Sequence, residues 1–309
     1  MVTSGGERGI DSFTWLFDTF YEDLPKGGYD VEIPFYKMNG AGNDFIVIDN
    51  RDGILSGVDL GRFVSLVCRR RKSIGADGLM LLERSELAHF RMRYFNSDGS
   101  EGEMCGNGAR CIAKFAYLVG AAPQDMKFET LSGLCEAEIR GEDVRVKFFD
   151  LSLKGVELKR EHDFGFGKVE YHFALVGVPH TVIFKDDVNT MPYGELISNA
   201  KKVRYAFDVF PKGTNVNFAK VLSEGEIMVR TYERGVEDET WACGTGSIAS
   251  ALITSLLYGV KPPIAVRVKG GVLKVDFRIE EDAVKDVYLE GDARVVARGY
   301  IMPDALKED

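Results

Sequence analysis

One short motif occurs twice in the chain, and this repeat constrains the fold more than any other feature. A cysteine followed by a Gly-x-Gly loop opens a segment of helical character at Cys105 and again at Cys243. The residues that follow, 109–119 and 248–258, are apolar at nearly every position. A helix that is apolar almost all round is enclosed by protein. The sequence therefore predicts two central helices, and their spacing of nearly half the chain suggests two related halves.

A cysteine at the start of a helix has a distinctive chemical environment. The first turn presents unpaired backbone NH groups and the positive end of the helix dipole. Such a position can lower a thiol pKa from about 8.5 to roughly 3.5 to 7.5. The adjacent glycines allow a small anion to approach the backbone closely. Each copy of the motif is thus predicted to be a thiol acid/base with a binding loop for a carboxylate.

Length and charge limit the possible classes of protein. At 309 residues, two domains are expected. The net charge of −9 and the pI of about 5.2 argue against a general nucleic-acid binder, which would carry a basic face. No apolar run reaches about 18 residues, and the N-terminus lacks the pattern of a signal peptide. We therefore expect a protein that neither spans a membrane nor is secreted.

The cysteine content indicates a cytoplasmic protein with reduced thiols. The five cysteines are an odd number and include no C-x-x-C pair, so neither a disulfide framework nor a zinc site is indicated. No metal site is expected. Outside the two motifs, the cysteines are interpreted as small buried hydrophobic residues; these are Cys68, Cys111 and Cys135.

Alternating and β-branched runs predict more strands than helices in each half. The predicted fold class is α+β, with two pseudo-symmetric domains that each wrap a curved, mostly antiparallel sheet around one central helix. Leu60–Cys68 is predicted to be a further helix. An amphipathic helix is also predicted at Phe13–Leu24, where Ser12 can cap it.

These patterns also suggest where the domains begin and end. Residues 1–31 form an N-terminal extension, 32–152 the N-terminal half and 153–295 the C-terminal half. The segment 296–309 is expected to pack back on the N-terminal half. The charged stretch 154–168 is interpreted as the boundary between the halves.

Two thiols and a carboxylate-binding loop can invert an amino-acid α-carbon without a metal or an organic cofactor. One thiolate removes the α-proton while the other thiol delivers a proton to the opposite face. For both sulfurs to reach the carbon, they must lie roughly 6 to 7 Å apart. The negative charge that develops on the α-carboxylate can be stabilised by the NH groups at both helix starts. We therefore expect Cys105 and Cys243 to face one substrate.

Seven motifs occur in the order found in the diaminopimelate epimerase family, which the chain resembles from about Ile33 to Tyr300. Seven motifs in order are far more specific than a single Gly-x-Gly loop. The motifs are Asn39–Phe45, Asn96–Ser100, Met104–Arg110, Val178–His180, Gly213–Phe218, Tyr232–Gly235 and Ala242–Gly246.

The resemblance implies a function and a set of site residues. It implies a cofactor-independent epimerase that interconverts LL- and meso-diaminopimelate in the synthesis of lysine and peptidoglycan precursors, and it suggests a homodimer. Cys105 and Cys243 would be the acid/base thiols. The remaining residues implied at the substrate are Gly106, Asn107, Gly244 and Thr245 at the α-carboxylate, Asn43 at the reacting amino end, Glu233 and His180 near the thiols, and Asn96, Asn215 and Arg234 at the distal centre.

Two positions depart from the family pattern. Val178 stands where many members carry an asparagine that binds the distal carboxylate, and Gly78 stands where some carry a glutamine. These departures leave open a racemase of another amino acid with the same fold. A non-catalytic amino-acid binder or a thiol redox protein is the alternative from a different functional class.

Several of these residues also have a structural interpretation. His180 on its own is more typical of a core histidine than of a catalytic residue. Asn43 and Asn96 are equally compatible with turns. Glu233 and Arg234 are compatible with an exposed ion pair, which stabilises a protein little.

Overall fold

A computed structural model of the chain describes residues 32–102 and 105–308. The predicted helix Phe13–Leu24, the rest of the extension 1–31, and Met104 of the first motif lie outside these ranges. Statements about the structure below refer to the described residues.

The described ranges contain four α-helices and nineteen strands. The helices are α1 (Leu60–Val67), α2 (Gly106–Leu118), α3 (Tyr193–Arg204) and α4 (Gly244–Tyr258). The strands are β1 (Ile33–Gly40), β2 (Asn43–Asp49), β3 (Gly78–Glu83), β4 (Phe90–Asn96), β5 (Glu101–Gly102), β6 (Asp125–Thr130), β7 (Gly133–Arg140), β8 (Asp143–Lys147), β9 (Leu151–Ser152), β10 (Glu157–Asp163), β11 (Lys168–Val176), β12 (Val178–Phe184), β13 (Asn215–Ser223), β14 (Glu226–Glu233), β15 (Asp238–Thr240), β16 (Ile264–Val268), β17 (Gly271–Glu280), β18 (Ala283–Asp292) and β19 (Arg294–Ile301). Short 3₁₀ helices lie at Leu153–Gly155 and Pro303–Leu306.

The strands pair mostly antiparallel, and the two halves of the chain repeat one arrangement. β2 and β3 pair parallel and β4 then pairs antiparallel with β3. In the second half, β12 and β13 pair parallel and β14 pairs antiparallel with β13. The predicted α+β class with a mostly antiparallel sheet is confirmed.

The two predicted central helices are α2 and α4, and both are buried. α2 packs among strands β1, β2, β7 and β8, whereas α4 packs among β11 to β14 and β17. Nearly every residue in the first two turns of each helix is buried. Their apolar surfaces therefore form the centre of the largest hydrophobic cluster. None of the four helices combines the length and the hydropathy needed to cross a membrane.

Strands from the end of the chain join the two halves. β18 pairs antiparallel with β8, with Leu289 opposite Val146. β19 returns to β1, with Ile301 opposite Ile33, and the 3₁₀ helix Pro303–Leu306 then packs on α1. The hydrogen-bonded sheet is consequently continuous through both halves. The domain boundary near residue 152 stays a prediction.

Two elements differ from the sequence interpretation. The charged stretch 154–168 contains strand β10, which pairs with β11 while most of its side chains face solvent. Because no apolar alternation accompanies that strand, its pattern resembled a linker. Helix α3 was not predicted, although its buried residues Leu196, Ala200 and Val203 recur at helical spacing.

Candidate active site

Cys105 and Cys243 occupy the same position in the two central helices. Each is the N-cap residue, with φ −119° and ψ 121° at Cys105 and φ −117° and ψ 111° at Cys243. Their carbonyl groups accept the first helical hydrogen bonds, from Ala109 N at 2.7 Å and from Ser247 N at 2.9 Å. The repeated motif therefore has one backbone geometry.

The second glycine of each motif leaves room for the cysteine side chain and for the strand beneath it. A Cβ atom at Gly108 would lie 3.0 Å from Met80 Sδ and 3.5 Å from Cys105 Cβ. At Gly246 it would lie 2.4 Å from Asn217 Oδ1 and 3.3 Å from Cys243 Sγ. The glycine is thus a steric requirement of the motif, most strictly at Gly246.

The starts of the two central helices lie close together, and the first glycine of each motif lies near the same leucine side chain. Cβ positions built at Gly106 and Gly244 lie 3.7 Å and 2.9 Å from the same atom, Leu289 Cδ2. In addition, Asn107 Nδ2 donates a hydrogen bond to the carbonyl of Ala242 at 3.3 Å. The loops that carry the two cysteines are therefore neighbours that approach the same leucine methyl group.

The carboxyl group of Glu233 links the two thiols electrostatically. Burial raises the pKa of Glu233, and this group shares a hydrogen bond with Cys243. Its negative charge also contributes to raising the pKa of both Cys105 and Cys243. Glu233 is therefore positioned to influence the ionisation of either sulfur.

Both thiols are harder to ionise than the sequence predicts. Burial raises the pKa of Cys105 and Cys243, and the backbone NH groups near each sulfur only partly oppose this effect. The prediction of a lowered thiol pKa is therefore wrong. The helix start acts in the predicted direction, but the loss of hydration of a buried thiolate is the larger contribution.

His180 lies on β12 beside the Cys243 loop as a buried neutral side chain. Its Nε2 atom is 3.0 Å from Thr245 Oγ1, and Thr245 Oγ1 is 3.6 Å from Cys243 Sγ. Burial, together with the charge of Arg234, lowers the pKa of His180 to about 3. The imidazole is therefore neutral at every ordinary working pH.

Around Cys105, the amide groups of Asn43 and Asn107 form a hydrogen-bonded unit. Asn107 donates to Asn43 Oδ1, and Asn43 Nδ2 donates to Asp77 Oδ2 at 3.0 Å. Arg110 Nη2 donates to Asn107 Oδ1 at 2.9 Å and fixes which way that amide points. Asn43 is thereby held beside the start of α2.

Arg110 was not predicted as a site residue, although it interrupts an otherwise apolar helix. Its side chain is completely buried, and within the described ranges no carboxylate comes within 4.0 Å of its guanidinium. Its hydrogen bonds go instead to Asn107 and to the carbonyls of Gly106 and Asp292. A buried cation beneath a helix start favours an anion bound there.

Asn215 and Arg234 contact each other at the end of β14. Arg234 N donates to Asn215 Oδ1 at 2.8 Å, and Asn215 Nδ2 donates to the carbonyl of Pro179 at 3.0 Å. The Arg234 guanidinium donates to Lys212 O, and no carboxylate of the described residues forms an ion pair with it. The alternative of an exposed Glu233–Arg234 ion pair is therefore wrong, and the guanidinium can still bind an anion.

Glu237, which was not singled out in the sequence, fixes the loop that carries Arg234. Burial raises its pKa, but hydrogen bonds from Gly235 N, Tyr205, Arg204 and Tyr232 outweigh that effect and lower the pKa to about 2. Its carboxylate also forms an ion pair with Arg204 at 2.9 Å. Because Arg204 and Tyr205 lie more than 30 residues away in the sequence, no local pattern indicates the role.

Three distal positions are less closely connected to the thiols. Asn96 Nδ2 donates to Ser100 Oγ at 3.0 Å within its own turn, and no hydrogen bond of the described residues joins it to the cysteine loops. Gly78 lies opposite Asn96 on β3, and a Cβ atom there would come within 2.7 Å of Tyr94 Cε2. Val178 is a half-buried apolar residue at the start of β12.

Sequence comparisons agree on one family. The diaminopimelate epimerase family profile matches residues 35–150 and 172–296. The diaminopimelate epimerase of Archaeoglobus fulgidus is 40% identical over 291 residues, covering 90% of this chain and 100% of the relative. The diaminopimelate epimerase of Chlorobaculum tepidum is 43% identical over 269 residues, covering 85% and 99%.

Comparisons of structure agree on the fold. A hydroxyproline epimerase from Agrobacterium vitis superposes with a TM-score of 0.65 at 13% identity, covering 89% of this chain and 94% of that protein. The phenazine biosynthesis protein of the PhzF family from Bacillus anthracis superposes with a TM-score of 0.63 at 14% identity, covering 88% and 99%. At these identities the likeness concerns the fold alone.

Proposed function

The chain belongs to the diaminopimelate epimerase family, and on this premise we propose how its residues carry out the reaction. The protein is an epimerase that interconverts LL- and meso-diaminopimelate, a step in lysine biosynthesis that also supplies peptidoglycan precursors. Cys105 and Cys243 are the two acid/base groups. No organic cofactor or metal is required by this scheme.

The reaction removes a proton from one face of the α-carbon and adds a proton to the opposite face. One cysteine, as thiolate, takes the α-proton, and the electron pair of the C–H bond moves toward the α-carboxylate. The other cysteine, as thiol, delivers its proton to the opposite face. One turnover therefore leaves the two cysteines with their protonation states exchanged, and the reverse reaction begins from that state.

The two helix starts stabilise the charge that develops on the α-carboxylate. The NH groups of the loops Gly106–Asn107 and Gly244–Thr245 bind its oxygens, and the cation of Arg110 lies beneath the first loop. Asn43 lies by the reacting amino end. Asn96, Asn215 and Arg234 bind the distal centre, which supplies binding energy for orientation at the reacting carbon.

The packing of both cysteine loops against Leu289 is the observation that carries this proposal. Two acid/base groups can act on opposite faces of one carbon only if their loops face each other across a narrow gap. The Cβ positions built at Gly106 and Gly244, which lie 3.7 Å and 2.9 Å from the same methyl group, support this arrangement. Glu233 and His180, which adjoin the same gap, then tune the thiols by charge and hydrogen bonding.

The test is incubation with LL-diaminopimelate in deuterated water without added cofactor. We expect ¹H NMR to show loss of the α-proton signal, and chiral chromatography to show the meso product. Cys105→Ala and Cys243→Ala should each lower the rate by more than about 100-fold, because each removes one acid/base group. Cys68→Ala is the matched control, since this buried thiol belongs to a separate hydrophobic cluster.

Each outcome has a clear meaning. Turnover that survives either active-site substitution would overturn the two-thiol mechanism. Exchange with other amino acids but not with diaminopimelate would identify a racemase of different specificity. Absence of exchange with every amino acid would leave a non-catalytic binder or a thiol redox protein.

A racemase of another amino acid is the second candidate function. Val178 offers no hydrogen bond to a distal carboxylate, and the Tyr94 ring fills the space beside Gly78. Both features reduce the polar groups available to the far end of diaminopimelate. Comparison of kcat/KM for diaminopimelate with values for shorter α-amino acids measures this preference.

We also propose that the protein is a cytoplasmic homodimer. Its thiol chemistry requires reduced cysteines, which a cytoplasm maintains. Strand β19 leaves the side chains of Val295 and Val296 substantially exposed on the sheet, which suits a contact between subunits. Sedimentation velocity with the full chain measures the assembly state.

A further inference from the structure

The two cysteines pack above chemically different side chains, although these side chains lie on equivalent strands. Phe45 pairs with Gly78 across β2 and β3, and His180 pairs with Asn215 across β12 and β13. His180 therefore occupies the position that Phe45 occupies in the first half. Two residues further along the inner strand, Asn217 corresponds to the apolar residue Met80.

The same correspondence continues to the next strand. Met80 pairs with Tyr94, whereas Asn217 pairs with Thr231. The strands beneath Cys243 carry three polar residues that are connected by hydrogen bonds, namely His180, Asn217 and Thr231. The equivalent positions beneath Cys105 are Phe45, Met80 and Tyr94, which form no such chain of hydrogen bonds. All three polar residues are buried, with Asn217 and His180 both fully inaccessible.

The amide of Asn217 has only one possible orientation. Its Nδ2 atom lies 3.0 Å from the carbonyl oxygen of Thr181, which can only accept a hydrogen bond. Its Oδ1 atom accepts from Thr231 Oγ1 at 2.9 Å. Asn217 Nδ2 must therefore also be the donor to His180 Nδ1, which lies at 3.2 Å.

This orientation determines where the imidazole carries its proton. A nitrogen that accepts from Asn217 cannot itself hold hydrogen in the neutral ring, so Nδ1 is bare and Nε2 is protonated. His180 Nε2 then donates to Thr245 Oγ1 at 3.0 Å. The hydrogen of the Thr245 hydroxyl must point elsewhere, and Cys243 Sγ lies at 3.6 Å.

We propose that Asn217 is a positioning residue, which fixes the tautomer of His180 and thereby directs the Thr245 hydroxyl hydrogen at Cys243 Sγ. This hydrogen bond stabilises the thiolate of Cys243. The inference rests on the proposed function, in which that thiolate is one of the two bases. Two charged groups, Glu233 beside Cys243 and Arg234 near His180, act on the same site and remain unchanged in the variants below.

The first test is direct observation of the tautomer in the full-length protein. ¹⁵N-histidine labelling and long-range ¹H–¹⁵N correlation distinguish a bare from a protonated ring nitrogen, and His180→Gln assigns the signals among the four histidines. We expect a bare Nδ1 between pH 6 and 9. In Asn217→Asp, whose side chain only accepts, Nδ1 should be protonated at pH 8.5.

The second test measures the Cys243 thiolate without any substrate. In a Cys105→Ala background, the rate of alkylation by iodoacetamide at pH 8.5 reports the thiolate fraction of Cys243, with mass spectrometry confirming the modified residue. Asn217→Asp should slow the reaction about 10- to 100-fold, the effect of one hydrogen bond to a charged atom. Asn199→Asp is the matched control in the same half of the chain, with a buried side chain on α3.

A double-mutant cycle separates the hydrogen-bond relay, which runs from Asn217 through His180 and Thr245 to Cys243, from a direct effect of the new charge on the thiol. The new carboxylate of Asn217→Asp would raise the thiol pKa through its charge alone, with or without Thr245. If the relay operates, Thr245→Val slows alkylation, and Asn217→Asp slows it by a smaller factor in that background than in the presence of Thr245, because only the charge effect remains. An equal effect of Asn217→Asp with and without Thr245 would overturn the proposal.

A protonated Nδ1 in the wild-type protein would also overturn it, and this measurement does not depend on whether any variant folds. Because neither test uses turnover, failure of the relay is distinguishable from failure of the proposed epimerase activity. A protein that epimerises diaminopimelate but shows a protonated Nδ1 would keep its function and lose the relay.

Discussion

At the scale of single residues, burial decides the charge states at the candidate site. The same loss of hydration raises the pKa of Cys105, Cys243 and Glu233 and lowers that of His180. Because burial disfavours the charged form of each of these groups, a thiolate formed at Cys105 or Cys243 is costly and therefore reactive. Hydrogen bonds to the ionised sulfur are accordingly more important here than at an exposed thiol.

Glu233→Gln should stabilise the protein at neutral pH while it reduces turnover. Burial places the pKa of Glu233 above its ordinary value, so between these two values the folded protein binds more protons than the unfolded chain. Its free energy of unfolding therefore falls as the pH rises through this interval. Glutamine removes this loss because it does not ionise.

Urea unfolding at several pH values between 4.5 and 8 measures this effect. The difference between Glu233→Gln and wild type should be small at the acid end and should grow as the pH rises. Glu224→Gln is the control, because this side chain is exposed. A stability difference for Glu233→Gln that does not change with pH would contradict the prediction.

At the scale of single elements, the start of each central helix depends on a glycine that has no space for a side chain. Gly246 allows both the Asn217 amide and the Cys243 sulfur to pack against the first turn of α4. An ordinary helix would gain from alanine at this position. The sterics of the site therefore oppose the intrinsic preference of the element.

Gly246→Ala should destabilise the protein by about 1 to 3 kcal/mol, the usual effect of overpacking a buried site. Its turnover should fall at least about 10-fold, because the added methyl group displaces Asn217 or Cys243. Thermal unfolding and the deuterium-exchange assay measure the two effects.

Gly194→Ala in α3 provides the matched control, since nothing lies within 4 Å of its Cβ position. It should be neutral or slightly stabilising and should keep full activity. Equal behaviour of the two variants would show that Gly246 is not under steric constraint.

At the scale of the whole molecule, one side chain lies beside both cysteine loops. Leu289 belongs to β18, the strand that also pairs with β8 of the N-terminal half. Its Cδ2 atom lies within 3.7 Å of the Cβ positions built at both Gly106 and Gly244, and the side chain is completely buried. The element that joins the halves therefore also carries the side chain that lies beside both cysteine loops.

Leu289→Ala should cost about 2 to 5 kcal/mol in free energy of unfolding, because it leaves a cavity in the core. Turnover should fall a further 10- to 100-fold or so, because about 1 Å of misplacement has a large effect on a reaction that needs both thiols aligned. The free energy is measured by urea unfolding and the rate by deuterium exchange under conditions in which the variant stays folded.

Leu252→Ala in α4 distinguishes lost stability from lost spacing. This residue is equally buried but lies inside the helix, so its removal should destabilise the protein and leave most of the activity. If both variants lose activity in proportion to stability, Leu289 has no separate role in spacing the loops.

Local chemistry in the sequence was sufficient for the fold class, the two central helices and the cysteine-led loops. The spacing of apolar residues and the positions of glycines in loops are properties of neighbouring residues, so they can be recognised without the tertiary structure. Such patterns fail for β10, whose side chains mostly face solvent, and they are weak for α3, where only Leu196, Asn199, Ala200 and Val203 are buried.

Only the tertiary structure decided which distant groups share the site and in what charge state. The roles of Arg110, Asn217, Glu237 and Leu289 depend on contacts between segments far apart in the chain. The raised thiol pKa depends on how much water the completed fold excludes, and the helix-start rule alone gives the opposite sign. Sequence determines the local chemistry of a motif, whereas burial and cross-chain packing set its reactivity because both exist only in the folded molecule.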